Sequence, residues 1–297
     1  MIRFGLQRLK ILDKFDILEF QRIGIPEPNP RSQLRSTTYL RVFAETSDRN
    51  VNLGLASLLG EFAMQHYSGF HLSSNQGAAI PRPYLSYYPA IWPQSKLKTS
   101  INLLDSAKSE DVTHTTNIPT TPPPKFENLV KRQSYETTNP ADLRSFGETR
   151  RARLGDIVLA RSGDKGGNAN IGFFIPTALP SSYKPLPSNS SSSPLYEESW
   201  DWLRSLLTTA KLKEMFAESW DESYLIERVE FKKIYAVHFV VYGVLGRGVS
   251  GSSRLDSLAK GMGDWLRDVV VDVPVKFLKG RGLGDNGSKE GGEVAML

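Results

Sequence analysis

Two glycine-rich stretches carry the residues with the clearest potential for chemistry. The first, ARSGDKGGNANIG, begins at Ala160 and sets a lysine among glycines, with an arginine before it and two asparagines after it. Glycines adopt positive φ readily and let successive backbone N–H groups converge on an anion. The same residues could also form only a hairpin turn. The candidate ligand-binding residues here are Arg161, Ser162, Gly163, Lys165, Gly166, Asn168 and Asn170.

The second stretch, GRGVSGSSRLD, contains G-x-G-x-x-G over residues 246–251, after a predicted strand. A dinucleotide fingerprint needs its helix to open within the glycines and a doubly wound sheet around it. Here we predict that the helix starts at Ser253 with Asp256 as capping-box partner, which disfavours NAD binding. An anion site at a helix N-terminus fits better, and an ordinary helix cap is the alternative. The candidate residues are Gly248, Ser250, Ser252 and Arg254.

The two stretches would form one site if the strands that precede them are parallel neighbours, because both would then end at the same edge of the sheet. Such a pocket would contain Arg161, Lys165, Ser250 and Arg254. Three side chains could transfer or orient a proton there, namely Asp164, Lys165 and Asp256. No reaction type follows from these residues, so the sequence leaves enzymatic activity and any cofactor undetermined.

Composition excludes several other kinds of chemistry. The chain of 297 residues has no cysteine, so disulfides, thiolate metal sites and cysteine nucleophiles are impossible. His66 and His71 miss the i,i+4 spacing of two ligands on one helix face, and we expect no metal site. The net charge of +5 is mixed along the chain, which permits a small anion. No RNP motif is present, and we expect no nucleic-acid partner.

Targeting signals are also missing from the sequence pattern. No apolar run reaches the roughly 20 residues that cross a bilayer, so we expect no membrane association. The N-terminal stretch contains Asp13, Asp16 and Glu19, whereas transit peptides are poor in acidic residues. The cytoplasm is therefore the predicted location.

Composition shifts divide the chain into four parts. Residues 1–95 look like a partial N-terminal α/β domain, and residues 96–149, which include THTTNIPTTPPPK, read as a disordered linker. Residues 150–274 predict a compact α+β domain, and residues 275–297 a disordered tail. The predicted order in the compact domain is β-β-α-β-α-β, with helices over 195–218 and 254–268. This order suits a β/α sandwich with one sheet and two helices on one face.

Both glycine stretches resemble the C-terminal domain of the acyclic terpene utilisation (AtuA-like) family, through ARSGDKGGNANIG and GRGVSGSSRLDSLAK. The segments QLRSTTYLRVFAET and GFHLSSNQGAAIPRPYLSYYPAI are similar to the closing part of that family's larger N-terminal domain. The resemblance implies a ferredoxin-like fold for residues 150–274 and a truncated N-terminal domain. The sequence departs from the family at Arg247 and Ala259, where glycine is usual, and at Gly167, where a polar residue is usual.

The resemblance also implies a pathway, the catabolism of citronellol- or geraniol-like terpenoids through acyl-CoA intermediates. Three functions remain open on this basis. The chain could bind an acyl-CoA or a related branched carboxylate at the glycine stretches. It could be a non-catalytic structural or assembly module that pairs through its sheet into a homo-oligomer. It could also be a truncated remnant without independent activity.

Overall fold

The structure is a computed structural model that describes residues 1–62, 76–86, 88–104, 115–121, 135–176 and 194–280. The chain divides into two compact units. The first contains Met1–Leu85 with Ser253–Leu255, and the second contains Ser86–Ser252 with Asp256–Leu297. No helix in the described ranges is long and apolar enough to cross a membrane.

The first unit is a small α/β arrangement built around one antiparallel strand pair. Its helices and strands are α1 Ile2–Arg8, β1 Ile17–Ile23, α2 Gln33–Ser36, β2 Tyr39–Glu45, α3 Arg49–Glu61 and α4 Gln76–Ala79. In the β1–β2 pair, Ile17 lies opposite Glu45. The buried core is small and consists of Leu6, Leu55 and Leu58. The side chain of Asp48 begins α3 by accepting a hydrogen bond from the N–H of Asn50.

Part of the segment predicted as a disordered linker has defined structure. Strands β3 Ser100–Leu104 and β4 Thr115–Pro119 form an antiparallel pair. Further on, a short 3-10 turn at Leu143–Phe146 buries Phe146 against the ring of Phe277. The remaining linker residues, 105–114 and 122–134, lie outside the described part of the chain.

The second unit contains a four-stranded antiparallel sheet in the order β6-β7-β9-β8. Strand β10 pairs with β5 in a separate two-stranded ladder, so the prediction of one sheet is wrong in this detail. The elements are β5 Thr149–Arg153, β6 Leu159–Lys165, β7 Asn168–Phe174, α5 Pro194–Leu206, α6 Thr209–Phe216, β8 Leu225–Phe231, β9 Ala236–Tyr242, α7 Met262–Arg267, β10 Val270–Pro274 and α8 Val275–Gly280.

One face of this sheet, the inner face, forms the core of the unit. Along β7 and β9, buried residues alternate with partly exposed ones, as expected for strands with one face in the core. Their fully buried residues are Ala169, Ile171, Phe173, Val237, Phe239 and Val241. Helix α5 contacts β9, α6 contacts β8, and α7 contacts β6 and β7, so the helices supply the other half of the core.

The helices are shorter than the sequence pattern predicts. The predicted helix over 195–218 is two helices, because Thr208 caps α6 by accepting from the N–H of Lys211 at 3.0 Å. The predicted helix over 254–268 is limited to α7, and residues before it form turns. The predicted tail begins with α8, which buries Phe277 and Leu278, and residues 281–297 lie outside the described ranges.

Arg228, on β8, is the largest charged side chain of the buried core, with no exposed surface. It lies opposite Phe239 on the inner face, where an apolar residue is usual. Its guanidinium donates to the last carbonyls of α5 and to the segment before β5. The acceptors are Leu207 O at 2.7 Å, Tyr135 O and Glu230 Oε1 at 2.9 Å, and Arg204 O and Thr137 Oγ1 at 2.8 Å.

Replacing Arg228 with methionine should destabilise the protein by about 3–5 kcal/mol, because the Glu230 carboxylate loses its ion pair and the carbonyls of Leu207 and Tyr135 lose a donor. Urea denaturation followed by tryptophan fluorescence measures this, since Trp200 and Trp202 are both buried.

Arg153→Met is the matched control, because the side chain of Arg153 is 61% exposed beside Asp156 and Asp268. Exposed pairs of this kind contribute less than about 1 kcal/mol. Equal losses of unfolding free energy in the two variants would show that the buried Arg228 network contributes no more to stability than an exposed ion pair.

Candidate functional site

The first glycine stretch is mostly strand. Strand β6 continues to Lys165, and the turn to β7 is only Gly166–Gly167. Gly166 has φ +67°, whereas Gly167 has no positive φ, which is the pattern of a type II′ hairpin turn. Residues 161–165 are therefore held in a β-ladder, and the predicted nest of backbone N–H groups is not formed there.

The second glycine stretch packs directly against that turn. Leu245 N–H donates to Gly167 O at 3.0 Å, and Gly243 N–H donates to Asn168 Oδ1 at 3.0 Å. A Cβ added to Gly167 would lie 2.3 Å from Gly246 O, so only glycine fits. Gly248, with φ +85°, also approaches this turn, since an added Cβ would lie 3.3 Å from the carbonyl carbon and oxygen of Gly166.

The two stretches meet for a different reason from the one the sequence predicts. Strands β6 and β9 are both antiparallel to β7, so they run in the same direction and end at the same edge. They are not neighbours, however, because β7 lies between them. The β6–β7 turn bridges the gap.

Two of the candidate side chains, those of Ser162 and Asp256, already accept hydrogen bonds from backbone N–H groups of the fold. Ser162 is buried and accepts a hydrogen bond from the N–H of Gly263 in α7 at 2.8 Å. Asp256 accepts from the N–H groups of Lys260 and Gly261 at 3.0 and 2.9 Å, which fixes the turn before α7. This turn replaces the predicted helix start at Ser253.

The opposite side of the sheet, the outer face, carries both polar and apolar residues. The strand registers place the following residues on it: Arg161, Gly163, Lys165, Asn170, Gly172, Glu227, Val229, His238, Val240 and Tyr242. The single carboxylate of this set, Glu227, accepts a hydrogen bond from Tyr242 Oη at 2.8 Å. Lys165 therefore leaves the glycine end of the outer face positively charged, and Arg161 lies on the same face toward the other end of β6, opposite Gly172.

His238 lies at the centre of this face. Its Nε2 is 3.4 Å from Asn170 Nδ2, and its ring meets that of Phe231 edge-on at 6.0 Å. Burial of the imidazole, and second the positive charge of Lys165, lower the pKa of His238 below its usual 6.5. The ring is therefore neutral at pH 7.

Lys260 brings a further positive charge close to Gly163. Lys260 Nζ lies 3.3 Å from the position that a Cβ of Gly163 would occupy, and Asn170 Oδ1 lies 3.6 Å from the same point. Neither Lys260 nor Arg161 has an ion pair within the described residues. Sequence reasoning missed both Lys260 and His238. The signal for His238 was its alternation with Val237 and Phe239, which puts it on the opposite face.

The fold does not bring all the remaining predicted ligand-binding residues to the glycine end of the outer face. Ser250 is exposed, and Gly248 and Ser252 are buried. Arg254 belongs to the first unit, in the segment Ser253–Leu255. Within the described residues no cluster of three or more metal-binding side chains occurs, and His66, His71 and His114 lie outside those residues.

A cleft of about 470 Å³ lies elsewhere, beside the Arg228 network. It is rich in carboxylates, but each already has a partner, so the cleft offers a ligand few free groups. The pairs are Glu136 with Thr209, Glu197 with Tyr235, Asp201 with Arg204, and Glu230 with Arg228. The hydrogen bond to Glu197 is the main reason that the pKa of Tyr235 is raised.

Comparison with protein families agrees with the sequence motifs. Residues 1–103 match the acyclic terpene utilisation family protein AtuA, and residues 152–272 match the AtuA ferredoxin-like domain. The chain therefore belongs to the AtuA-like family. No significant match is found among curated proteins or among solved structures.

Gly167→Ala should destabilise the second unit by about 1–3 kcal/mol, because its Cβ would overlap the Gly246 carbonyl and separate the two glycine stretches. Chemical denaturation measures the loss. Gly172→Ala on the same hairpin is the control, since its Cβ would meet only His238 Cδ2 at an ordinary 3.6 Å. A Gly167→Ala variant as stable as Gly172→Ala would contradict the close packing.

Lys165→Ala should raise the pKa of His238, because it removes a positive charge that disfavours the imidazolium. The pKa should stay below 6.5, since burial is the larger cause and remains. NMR titration of the ring protons measures it, with His238→Gln for assignment and Lys233→Ala as control, because the charge of Lys233 is not a cause of the lowered pKa. A depressed folded-state pKa also means that His238 reduces stability only as the pH falls below about 6.5.

Proposed function

We propose that the chain binds an anionic small molecule, an acyl-CoA or a branched carboxylate, at the glycine end of the outer face. The proposal places this binding in the catabolism of acyclic terpenoids or related compounds. The observation that carries it is the meeting of the two glycine stretches beside Lys165, with Lys260 close to Gly163 and Arg161 further back on the same face of β6. None of these three cations has an ion pair within the described residues.

The electrostatics of this end favour an anion. Among the described residues, Lys165 Nζ donates only to a backbone carbonyl, that of Asp164, at 3.1 Å. A carboxylate or phosphate would offer each cation a charge-assisted hydrogen bond, which is stronger than a neutral one. Burial is the main cause of the lowered pKa of His238 and the charge of Lys165 is the second, so an anion bound near Lys165 would raise that pKa.

The glycines give this end its shape. A side chain at Gly163 would approach Lys260 Nζ, and one at Gly167 would overlap the Gly246 carbonyl. This tight backbone packing keeps the strand ends in a fixed arrangement. A preformed arrangement of this kind lowers the entropic cost of binding. No catalytic role follows for Asp164 or Asp256, and Asp256 is already used by the turn before α7.

Lys165→Ala should weaken the binding of CoA, acyl-CoA or branched carboxylates by roughly 1.5–3 kcal/mol, the range for a hydrogen bond to a charged group. It should change the free energy of unfolding by less than about 0.5 kcal/mol, because the side chain is exposed. Isothermal calorimetry measures the affinity, which should also fall as the salt concentration rises.

Lys233→Ala is the matched control for this experiment. It removes the same charge from the turn between β8 and β9, which lies at the other end of the sheet. Equal affinity of the wild type and Lys165→Ala for every probe would reject the proposal. Concentration-dependent dimerisation together with no binding would instead favour an assembly module that pairs through its sheet.

A further inference from the structure

The hairpin formed by β3 and β4 has one apolar face and one polar face. In its register Ile101 lies opposite Ile118, and Asn102 lies opposite Asn117. Ile101, Leu103 and Ile118 share one side, the hairpin face, because alternate residues of a strand point the same way. On the other side, Asn117 Nδ2 donates a hydrogen bond to Asn102 Oδ1 at 2.8 Å. The polar side is therefore satisfied within the hairpin, and the apolar side is not.

The hairpin face is open in the part of the chain that the structure describes. Ile101, Leu103 and Ile118 are 51, 53 and 42% exposed. An isolated two-stranded hairpin is only marginally stable in water, and it needs its apolar face packed against further structure. The hairpin face therefore requires a partner surface.

The segment before the hairpin adds more apolar surface. Tyr88 and Ile91 are each 89% exposed, and Trp92 is 63% exposed. With the hairpin face, these side chains expose roughly 800 Å², about what each partner buries in an interface of standard size. The exposed apolar area is therefore large enough for a stable dimer.

The absence of charge on this surface indicates which partner it fits. No charged residue occurs in 86–95, 99–104 or 115–120. The cores of protein interfaces are depleted of charged residues and enriched in tyrosine and tryptophan. A partner recognised through its charge would find no complementary charge in these three stretches. A second copy of the same surface meets no like-charge repulsion there.

We propose that the hairpin face packs against the same face of a second copy of this chain. The contact is isologous, so each copy covers the apolar face of the other and the assembly closes at two copies. The two hairpins form two layers with their strands about 10 Å apart, as packed sheets do. Residues 88–92 extend the contact. This proposal is independent of the anion site and uses neither edge of the four-stranded sheet.

Sedimentation velocity of the full chain over a range of concentrations should show a monomer–dimer equilibrium that added salt does not weaken. Ile101→Lys should raise the dimer dissociation constant roughly 100-fold, because the dimer loses a buried side chain and gains a buried charge twice. Asn102→Lys is the matched control, since it puts the same charge on the opposite side of the same strand and should leave the dimer intact. Fluorescence of the buried Trp200 and Trp202 during urea denaturation shows whether each variant is folded.

A second measurement avoids adding a charge to the hairpin. The chain has no cysteine, so one introduced thiol can be crosslinked without background. Leu103→Cys should be joined into a covalent dimer by a bismaleimide much faster than Asn102→Cys. Both thiols should react at similar rates with a maleimide that has a single reactive group. Equal crosslinking of the two variants would overturn the proposal.

Three sedimentation results would also overturn it. The first is a wild type that stays monomeric at every concentration. The second is a dimer that persists in folded Ile101→Lys, because another surface, such as the four-stranded sheet, then makes the contact. The third is growth beyond two copies, because strand edges rather than closed faces would then pair. Failure of every anion to bind would reject the proposed function and leave this dimer unaffected.

Discussion

The buried guanidinium of Arg228 is the interaction on which the packing of the second unit depends. A buried charge is tolerated only when each of its N–H donors has an acceptor. The Arg228 guanidinium donates five hydrogen bonds, to Glu230 on β8, to the end of α5 and to the segment at 135–137. The Leu207 carbonyl, just beyond α5, accepts from Arg228 Nε, and the Arg204 carbonyl accepts from Arg228 Nη2 as well as from Thr137 Oγ1. One side chain thus sets where the helix ends and how far it lies from the sheet.

This arrangement explains what the sequence could and could not predict. Strands β7 and β9 alternate apolar and polar residues, and their positions follow directly from that pattern. Strand β8 places Arg228 and Glu230 on the core side, so its pattern does not look like a half-buried strand. Strand β5 buries only Ala152, so its sequence shows almost no alternation of apolar and polar residues that would indicate a strand. The helix predicted after Ser253 fails because the Asp256 carboxylate stabilises a turn instead.

The site was predictable in its position but not in its construction. Glycines at the ends of two strands indicated a close approach, and the contact of Gly167 with Gly246 provides it. The sequence suggested loops of backbone N–H groups, whereas strand β6 presents its side chains on an outer face. Lys260 and His238 are distant from the motif along the chain, so only the fold brings them beside Asn170.

Strand β6 also forms an edge of the four-stranded sheet within the described residues, and this has a consequence for solubility. An edge strand exposes unpaired backbone groups that can template pairing with another molecule, and proteins commonly block such edges with charged side chains. Arg161 and Lys165 are exposed on β6, whereas the other edge strand, β8, receives a backbone hydrogen bond from Tyr135. Charged side chains at these two positions disfavour pairing of this edge with another strand, and this effect does not depend on a bound ligand.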